Sequence, residues 1–508
     1  SEHLIGLAGA GASSGMAMAH WEIQGWMILI LGWVFVPFYT RSMVYTMPEF
    51  LERRYNPQSR TILSVISLVS YVLTKVAVTV YAGGLVFQQV FGIKELWGID
   101  FFWIAAIGLV VLTALYTIFG GMKSVLYTSV LQTPILLLGS LIILVLGFKE
   151  LGGWDEMMRV CGAVTVNDYG DTMTNLIRSN DDANFPWLGA LIGSAIIGFW
   201  YWCTDQFIVQ RVLSGKNEME ARRGTIFGAY LKLLPVFLFL IPGMIAFALH
   251  QKYIGAGGEG FLPMLANGTA NADAAFPTLV AKLLPAGVKG LVVCGILAAL
   301  MSSLASLFNS SAMLFTIDFY KRFKPETPEK KLVGIGQIAT IVIVVLGILW
   351  IPIMRSVGDV LYTYLQDVQS VLAPGIAAAF LLGICWKRTS AQGGMWGLIS
   401  GMVIGLTRLG AKVYYSNAGE VADSTFKYLF YDMNWLFFCG WMFLFCIIVV
   451  IVVSLATEAP TAEKIQGLVF GTATKKQKAA TRASWNHWDI IHTVIILAIT
   501  AAFYWYFW

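Results

Sequence analysis

The feature that most constrains this chain is the length and spacing of its apolar runs. Segments of about 20 apolar residues, enough for a helix to cross the hydrocarbon core of a bilayer, recur near 22–43, 60–92, 101–119, 123–148, 186–211, 223–249, 288–320, 331–354, 358–385, 392–413, 433–456 and 489–508. A glycine-rich apolar piece, 4–18, precedes them. Inside a bilayer no water is available to the backbone, so a spanning segment must satisfy its own N–H and C=O groups, as a helix does. The fold class read from this pattern is all-α integral membrane, one helical bundle and not a string of soluble domains. Composition agrees: 57% of residues are hydrophobic and 12% charged, against about 25% charged in soluble domains.

Charge fixes the orientation, because Lys and Arg concentrate in cytoplasmic loops. One alternate set of loops holds Arg41, Arg53, Arg54, Arg60, Lys123, Arg211, Lys216, Arg222, Lys321, Arg322, Lys324 and the basic residues of 464–482. They outnumber Lys94, Lys149, Arg159, Arg178, Lys252, Lys282 and Lys289 and their companions in the other set. The first set is predicted to face the cytoplasm, and the alternation never breaks. Residue 1 then lies near the middle or outer part of the membrane, and the chain reads as starting inside a longer natural sequence. Cys203, Cys294, Cys385, Cys439 and Cys446 fall in apolar runs and Cys161 in a loop, which is neither a disulfide framework nor a metal-ligand spacing.

Two cations fit neither set of loops. At the helical rise, Lys75 lies about 22 Å from the cytoplasmic entry at Arg60, and Lys232 about 14 Å beyond the helix start near 223. A charge at such depth costs at least about 2.5 to 3.5 kcal/mol, so each should face a partner or a water-filled cavity. By the same rise Tyr201 and Ser302 reach the midplane. Polar groups from several helices therefore converge at one depth, the pattern of a transport pathway built on broken helices. The two predicted breaks are the 4–18 segment and the crowded polar-aromatic patch at 198–206, within GFWYWCTDQFIVQR, residues 198–211. No HExxH, nucleophile elbow or paired midplane carboxylates occur, so an enzyme is not expected; nor is a nucleic-acid partner. The basic cytoplasmic stretch 457–488, containing KKQKAATRASW, is open between a rest on anionic lipid heads and an ordinary solvated loop.

The strings SEHLIGLAGAGASSGMA, TMPEFLERRY, IFGGMKSVLYTSVLQ, FWYWCTDQFIVQRVLSGKN, GAYLKLLP and LAALMSSLASLFNSSAMLFTIDFYKR resemble the sodium/solute symporter family, in particular its sodium/glucose cotransporter branch, from residue 1 to about residue 456. The resemblance implies a LeuT-type fold: two inverted five-helix repeats, first and sixth core helices broken, and extra C-terminal helices. Residues 1–385 would form the transport core, its first core helix truncated to an outer half, and 386–508 the additional helices. The 186–211 run would be the sixth core helix.

Carried over position by position, the resemblance implies sugar contacts at His3, Glu22, Lys232 and Gln366, with Tyr201 as a stacking or gating ring beside Trp202. An aromatic face suits the C–H side of a pyranose, and hydroxyls need polar partners around the rim. It implies a sodium site at the carbonyl of Ala299 and the hydroxyls of Ser302 and Ser303, completed by carbonyls upstream of Ser1; a hard ion takes such oxygens. It implies an outer gate at Leu7, Trp21 and Tyr362. Residue types alone leave other readings open. Tyr201 and Trp202 also suit ordinary core aromatics, Asp205 and Gln206 a helix cap or gate contact, and Lys75 a structural ion pair. His3 and Glu22 also suit a helix start, and MSSLAS suits simple packing.

The chain departs from many relatives where Ser129 replaces an aspartate and Ala305 a serine, both tied to cation handling, so one sodium per sugar is expected. The function implied is sodium-coupled secondary active symport of a glucose- or galactose-like monosaccharide by alternating access. Rivals are the same fold carrying myo-inositol or another small solute, and a sugar-responsive ion channel or sensor. The expected partners are sodium, the sugar and the lipid bilayer around a monomer. The location expected is a plasma membrane, crossed many times; the lack of a cysteine-rich outer loop points to a bacterial inner membrane.

Overall fold

Helices make up nearly all of the regular backbone, as the apolar runs require. The computed structural model describes residues 3–42, 44, 46–265, 268–357, 360–417 and 422–508, with backbone alone at 116, 118–126, 128, 129, 131, 353–357 and 417. Among the described residues, 10 helical segments are long and apolar enough to cross a membrane, from His3–Ser42 to His487–Tyr506. The runs 101–119 and 123–148, expected as separate spans, lie on one stretch of helical backbone, Phe101–Leu151, with apolar windows at Phe101–Leu115 and Gln132–Leu151. The intervening GGMKSVLYTSVLQ has no proline to stop a helix, and paired glycines weaken one without forbidding it.

Both predicted breaks are present. The N-terminal helix runs through His3–Leu7 and Ala8–Ser14 and ends at Gly15, whose φ of 65° suits glycine. Its small residues let it lie backbone to backbone on the Glu218–Gly255 span: a Cβ on Gly11 would overlap the carbonyl oxygen of Leu240, and one on Gly243 that of Ala8. The second break divides Trp187–Phe199 from Gln206–Leu213 through a π-helical turn, Trp200–Thr204, and an extended Asp205.

A broken helix exposes unpaired backbone groups, and the sequence supplies their partners. The Asp205 carboxylate accepts the Phe207 N–H at 3.2 Å as an N-cap. Tyr39 donates its hydroxyl to the carbonyl of Cys203 at 2.6 Å. These bonds hold the break in place.

By the charge distribution, the C-terminal segment underlies the cytoplasmic face. Phe470 N–H bonds Ile384 O at 2.9 Å, and the Lys464 ammonium bonds Glu52 O at 2.9 Å. The last helix, His487–Tyr506, starts with a capping box of Asn486 and Asp489, and its Tyr504 hydroxyl meets His20 Nδ1 at 2.9 Å near the other membrane face. All six cysteines are free thiols.

Candidate functional site

Four helical regions meet at one small cavity. Its lining is His3, Trp21, Gln24, Ile197, Gly198, Tyr201, Trp202, Lys232, Tyr362, Gln366 and Gln369. Glu22 sits directly behind this ring and is completely buried. It accepts from Lys232 Nζ at 2.6 Å and from the Tyr362 hydroxyl, and His3 Nε2 stands 3.2 Å away. The lysine that depth marked as needing a partner thus has one, and the pair brings no net charge to the cavity. Lys232 also lies 5.3 Å from the Trp202 ring centroid.

Every residue expected at the sugar site is therefore in the lining or bonded to it. Of the expected gate, Trp21 and Tyr362 line the cavity, whereas Leu7 is fully buried and is not part of the lining. Trp21 stacks on Trp435, centroids 5.4 Å apart and planes 23° apart, and presents an edge to Phe185.

Gln24 and Gln369 were not anticipated. Gln24 occupies the helix junction just after Glu22, and a Cβ on Gly198 would overlap its side-chain oxygen, so that glycine makes room for it. Gln369 follows Gln366 by one helical step of three residues, the spacing that puts two side chains on one face; this is the signal that would have found it.

Three polar atoms around the cavity are buried without a protein partner: Trp21 Nε1, Gln24 Nε2 and Gln366 Oε1. Two donors and an acceptor are left to be matched, and buried polar groups are rarely left unmatched. The free space is about 30 Å³, room for about one water molecule, so the ring must dilate before a solute enters. His3, Trp202 and Lys232 also border a second cavity of about 350 Å³ that extends past Ile208 to Arg211 and Gly224. These are the cytoplasmic ends of their helices by the charge distribution.

The candidate ion ligands lie together on the helix Ala286–Met313. Ala299, Ser302 and Ser303 are each half-buried there, and hydroxyl and carbonyl oxygens suit a hard monovalent cation. One turn along, Ser306 donates to the Ser302 carbonyl at 3.0 Å and itself accepts from the Arg211 guanidinium. A further turn along, Gln210 Nε2 bonds Ser310 Oγ at 2.5 Å. The inner half-helix Gln206–Leu213 is thereby held against the helix that carries these serines. Ala305 is buried and offers no side-chain oxygen, and the Ser129 side chain lies outside the described residues.

Lys75 is fully buried and pairs with Asp205 at the break, so the open reading of an ion-pair partner is the one realised. Four rings surround its ammonium, with centroids at 4.3 Å (Phe207), 4.7 Å (Tyr201), 4.9 Å (Tyr71) and 6.0 Å (Trp200). Asp205 is a cap, and Gln206 Oε1 accepts the Met47 N–H at 2.8 Å, tying the half-helix to the start of the helix Met47–Arg54.

A family model described as "Sodium:solute symporter family" matches residues 1–401. The chain belongs to this family. It is 36% identical over 485 residues to human sodium/myo-inositol cotransporter 2, an alignment covering 93% of this chain and 71% of that one. It is 37% identical over 476 residues to sheep sodium/glucose cotransporter 1, covering 90% and 71%. Among solved structures it resembles a Na+-coupled sialic acid symporter in a substrate-bound outward-open state, with a TM-score of 0.69, 20% identity, and coverage of 91% of this chain and 88% of that one. The fold is of the LeuT type. The protein is a multi-pass membrane transporter and not an enzyme; it performs solute symport with sodium as the coupling ion.

Proposed function

We propose that the solute is a small neutral cyclic polyol, a glucose- or galactose-like hexose or myo-inositol, bound in the cavity between Tyr201, Trp202, Lys232, Gln24 and Gln366. The observation that carries this reading is the set of three unmatched polar atoms around a charge-compensated lysine. A ring hydroxyl both donates and accepts, so one polyol can satisfy Trp21 Nε1, Gln24 Nε2 and Gln366 Oε1 together. An anionic solute would have to draw Lys232 away from a Glu22 that is buried with it. The similarity to cotransporters named for myo-inositol and for glucose supports the same class and favours neither member.

Trp21 and Tyr362 close the cavity from outside, and Tyr201 with Trp202 separates it from the inner cavity. Sodium at Ala299, Ser302 and Ser303 acts by biasing the conformational equilibrium on which sugar binding also depends. The Arg211–Ser306 and Gln210–Ser310 bonds connect the ion-bearing helix to the moving inner half-helix. One sodium per solute is part of the proposal, as are a transport core ending near residue 385 and a bacterial inner membrane as the location.

The test is uptake of radiolabelled galactose, glucose and myo-inositol into proteoliposomes with and without an inward sodium gradient, for the parent and Lys232→Ala. Sodium-driven accumulation of at least one polyol, lost in the variant, is expected. A sodium-to-solute flux ratio near two would reject the single-ion stoichiometry. Solute-gated sodium current without accumulation would replace symport of these polyols by sensing.

A further inference from the structure

The helix Lys475–Ala483 was singled out by its sequence, KKQKAATRA, and transport leaves it without a role. It begins with a capping box between Thr474 and Gln477, so it is a defined helix and not a loose loop. One face is fixed to the protein. Thr481 Oγ1 accepts from Arg41 at 2.6 Å, and the next residue on that side, Ser484, donates to Glu218 at 3.1 Å. The rest of the helix surface carries Lys475, Lys476, Lys478 and Arg482, all exposed.

Among the described residues, none of these four cations has a carboxylate partner within 4.0 Å. The acids nearby are engaged: Glu218 by Arg222 at 2.9 Å and Asp489 by Arg223 at 3.3 Å. The other exposed residues of this helix are Ala479, Ala480 and Ala483, which offer no large apolar groove to a protein side chain.

Four residues after the helix ends, the chain enters the last membrane span, His487–Tyr506. At that entry Arg482 stands over the Trp485 ring, 3.9 Å from its centroid, and Trp488 is exposed. Tryptophan is enriched at the headgroup level of a bilayer. The basic face is thus held at the boundary of the cytoplasmic leaflet, whose anionic lipids attract such clusters.

We infer that Lys475, Lys476, Lys478 and Arg482 form a docking surface for the headgroups of anionic phospholipid in the cytoplasmic leaflet. The attraction amounts to about fivefold per cation near an anionic surface and is screened by salt over about 8–10 Å. Because Thr481 and Ser484 bind Arg41 and Glu218, a headgroup held here is tied to the inner ends of two helices that contribute to the transport site.

The test uses the full chain with Cys294 and Cys385 replaced by alanine and a fluorophore on Ala480→Cys, in phosphatidylcholine vesicles. Spin-labelled phosphatidylglycerol and spin-labelled phosphatidylcholine are compared as quenchers. Stronger quenching by the anionic lipid is expected, falling at least about tenfold in selectivity when Lys475, Lys476 and Lys478 are changed together to Gln, and falling likewise in the unsubstituted protein at high salt. Equal quenching by the two lipids, no quenching by either, or a selectivity that survives both the substitution and salt would overturn the assignment.

Discussion

Lys75 and Asp205 form a buried ion pair at the break between Trp187–Phe199 and Gln206–Leu213, and the same aspartate caps the second of these half-helices. The Tyr71 hydroxyl donates to the other Asp205 oxygen at 2.7 Å, so the carboxylate is satisfied on both sides. The charge on Lys75 therefore holds the shape of the break on which Tyr201 is mounted.

Removing one member leaves the other charged and dry, which costs about 3–5 kcal/mol. Lys75→Met and Asp205→Asn should each lower the melting temperature sharply in detergent. The double variant should melt well above the value that adding the two losses gives, since it leaves no uncompensated charge. Strict additivity in that double-mutant cycle would show that the pair does not act as a unit.

The unmatched atoms predict graded effects on solute binding. Gln24→Ala and Gln366→Ala each delete a neutral hydrogen bond worth about 0.5–1.5 kcal/mol. Each should raise the solute concentration for half-maximal uptake about two- to tenfold while sodium dependence and melting stay unchanged. Lys232→Ala should do more, because among the described residues it leaves Glu22 with Tyr362 and His3 alone as partners. A Gln366→Ala protein with parental half-saturation would remove that side chain from the site.

Helix contact at glycine gives a prediction about packing. Gly243→Ala and Gly11→Ala each drive a methyl group into a backbone oxygen, of Ala8 and Leu240 respectively. The helices must then separate, with a loss of about 1–3 kcal/mol for overpacking. Gly224→Ala, on the same span but with nothing near its Cβ, should melt at or above the parent. Equal effects of all three substitutions would contradict the close crossing.

Much of this organisation was legible beforehand, for physical reasons. The bilayer forces long apolar helices, so spans such as Trp435–Ala456 could be read from composition alone. Lys232 announced a partner because an unpaired charge at its depth is expensive, and Glu22 is that partner. Lys75 announced one as well, but nothing local pointed across the bundle to Asp205, which lies 130 residues away in the chain. Gln24 escaped notice because its place in the cavity follows from a helix junction and from the missing side chain of Gly198, neither of which leaves a periodic trace. The continuous helix Phe101–Leu151 was likewise hidden, since a glycine pair suits either a helix or a turn.

Asp273 predicts a pH dependence of stability. It lies in a short turn, Ala272–Ala274, outside the spans, and both its oxygens face the Leu361 N–H, at 3.1 and 3.3 Å. That N–H opens the helix Leu361–Cys385, which carries Tyr362 and Gln366. Burial pushes the Asp273 carboxyl up to about 7, only partly opposed by the Leu361 bond. The folded protein then holds this proton more tightly than the unfolded chain, whose carboxyl titrates near about 3.9. Its contribution to stability is complete below about pH 4, declines as pH rises towards 7, and stays lost above that. Asp273→Asn keeps an oxygen for the Leu361 N–H but cannot ionise. Between about pH 5 and about pH 8 the parent's melting temperature should fall further than the variant's, so that the variant gains relative stability at the alkaline end. Parallel melting curves across that range would mean that Asp273 does not ionise in place, and its hold on the Tyr362 helix would then be insensitive to pH.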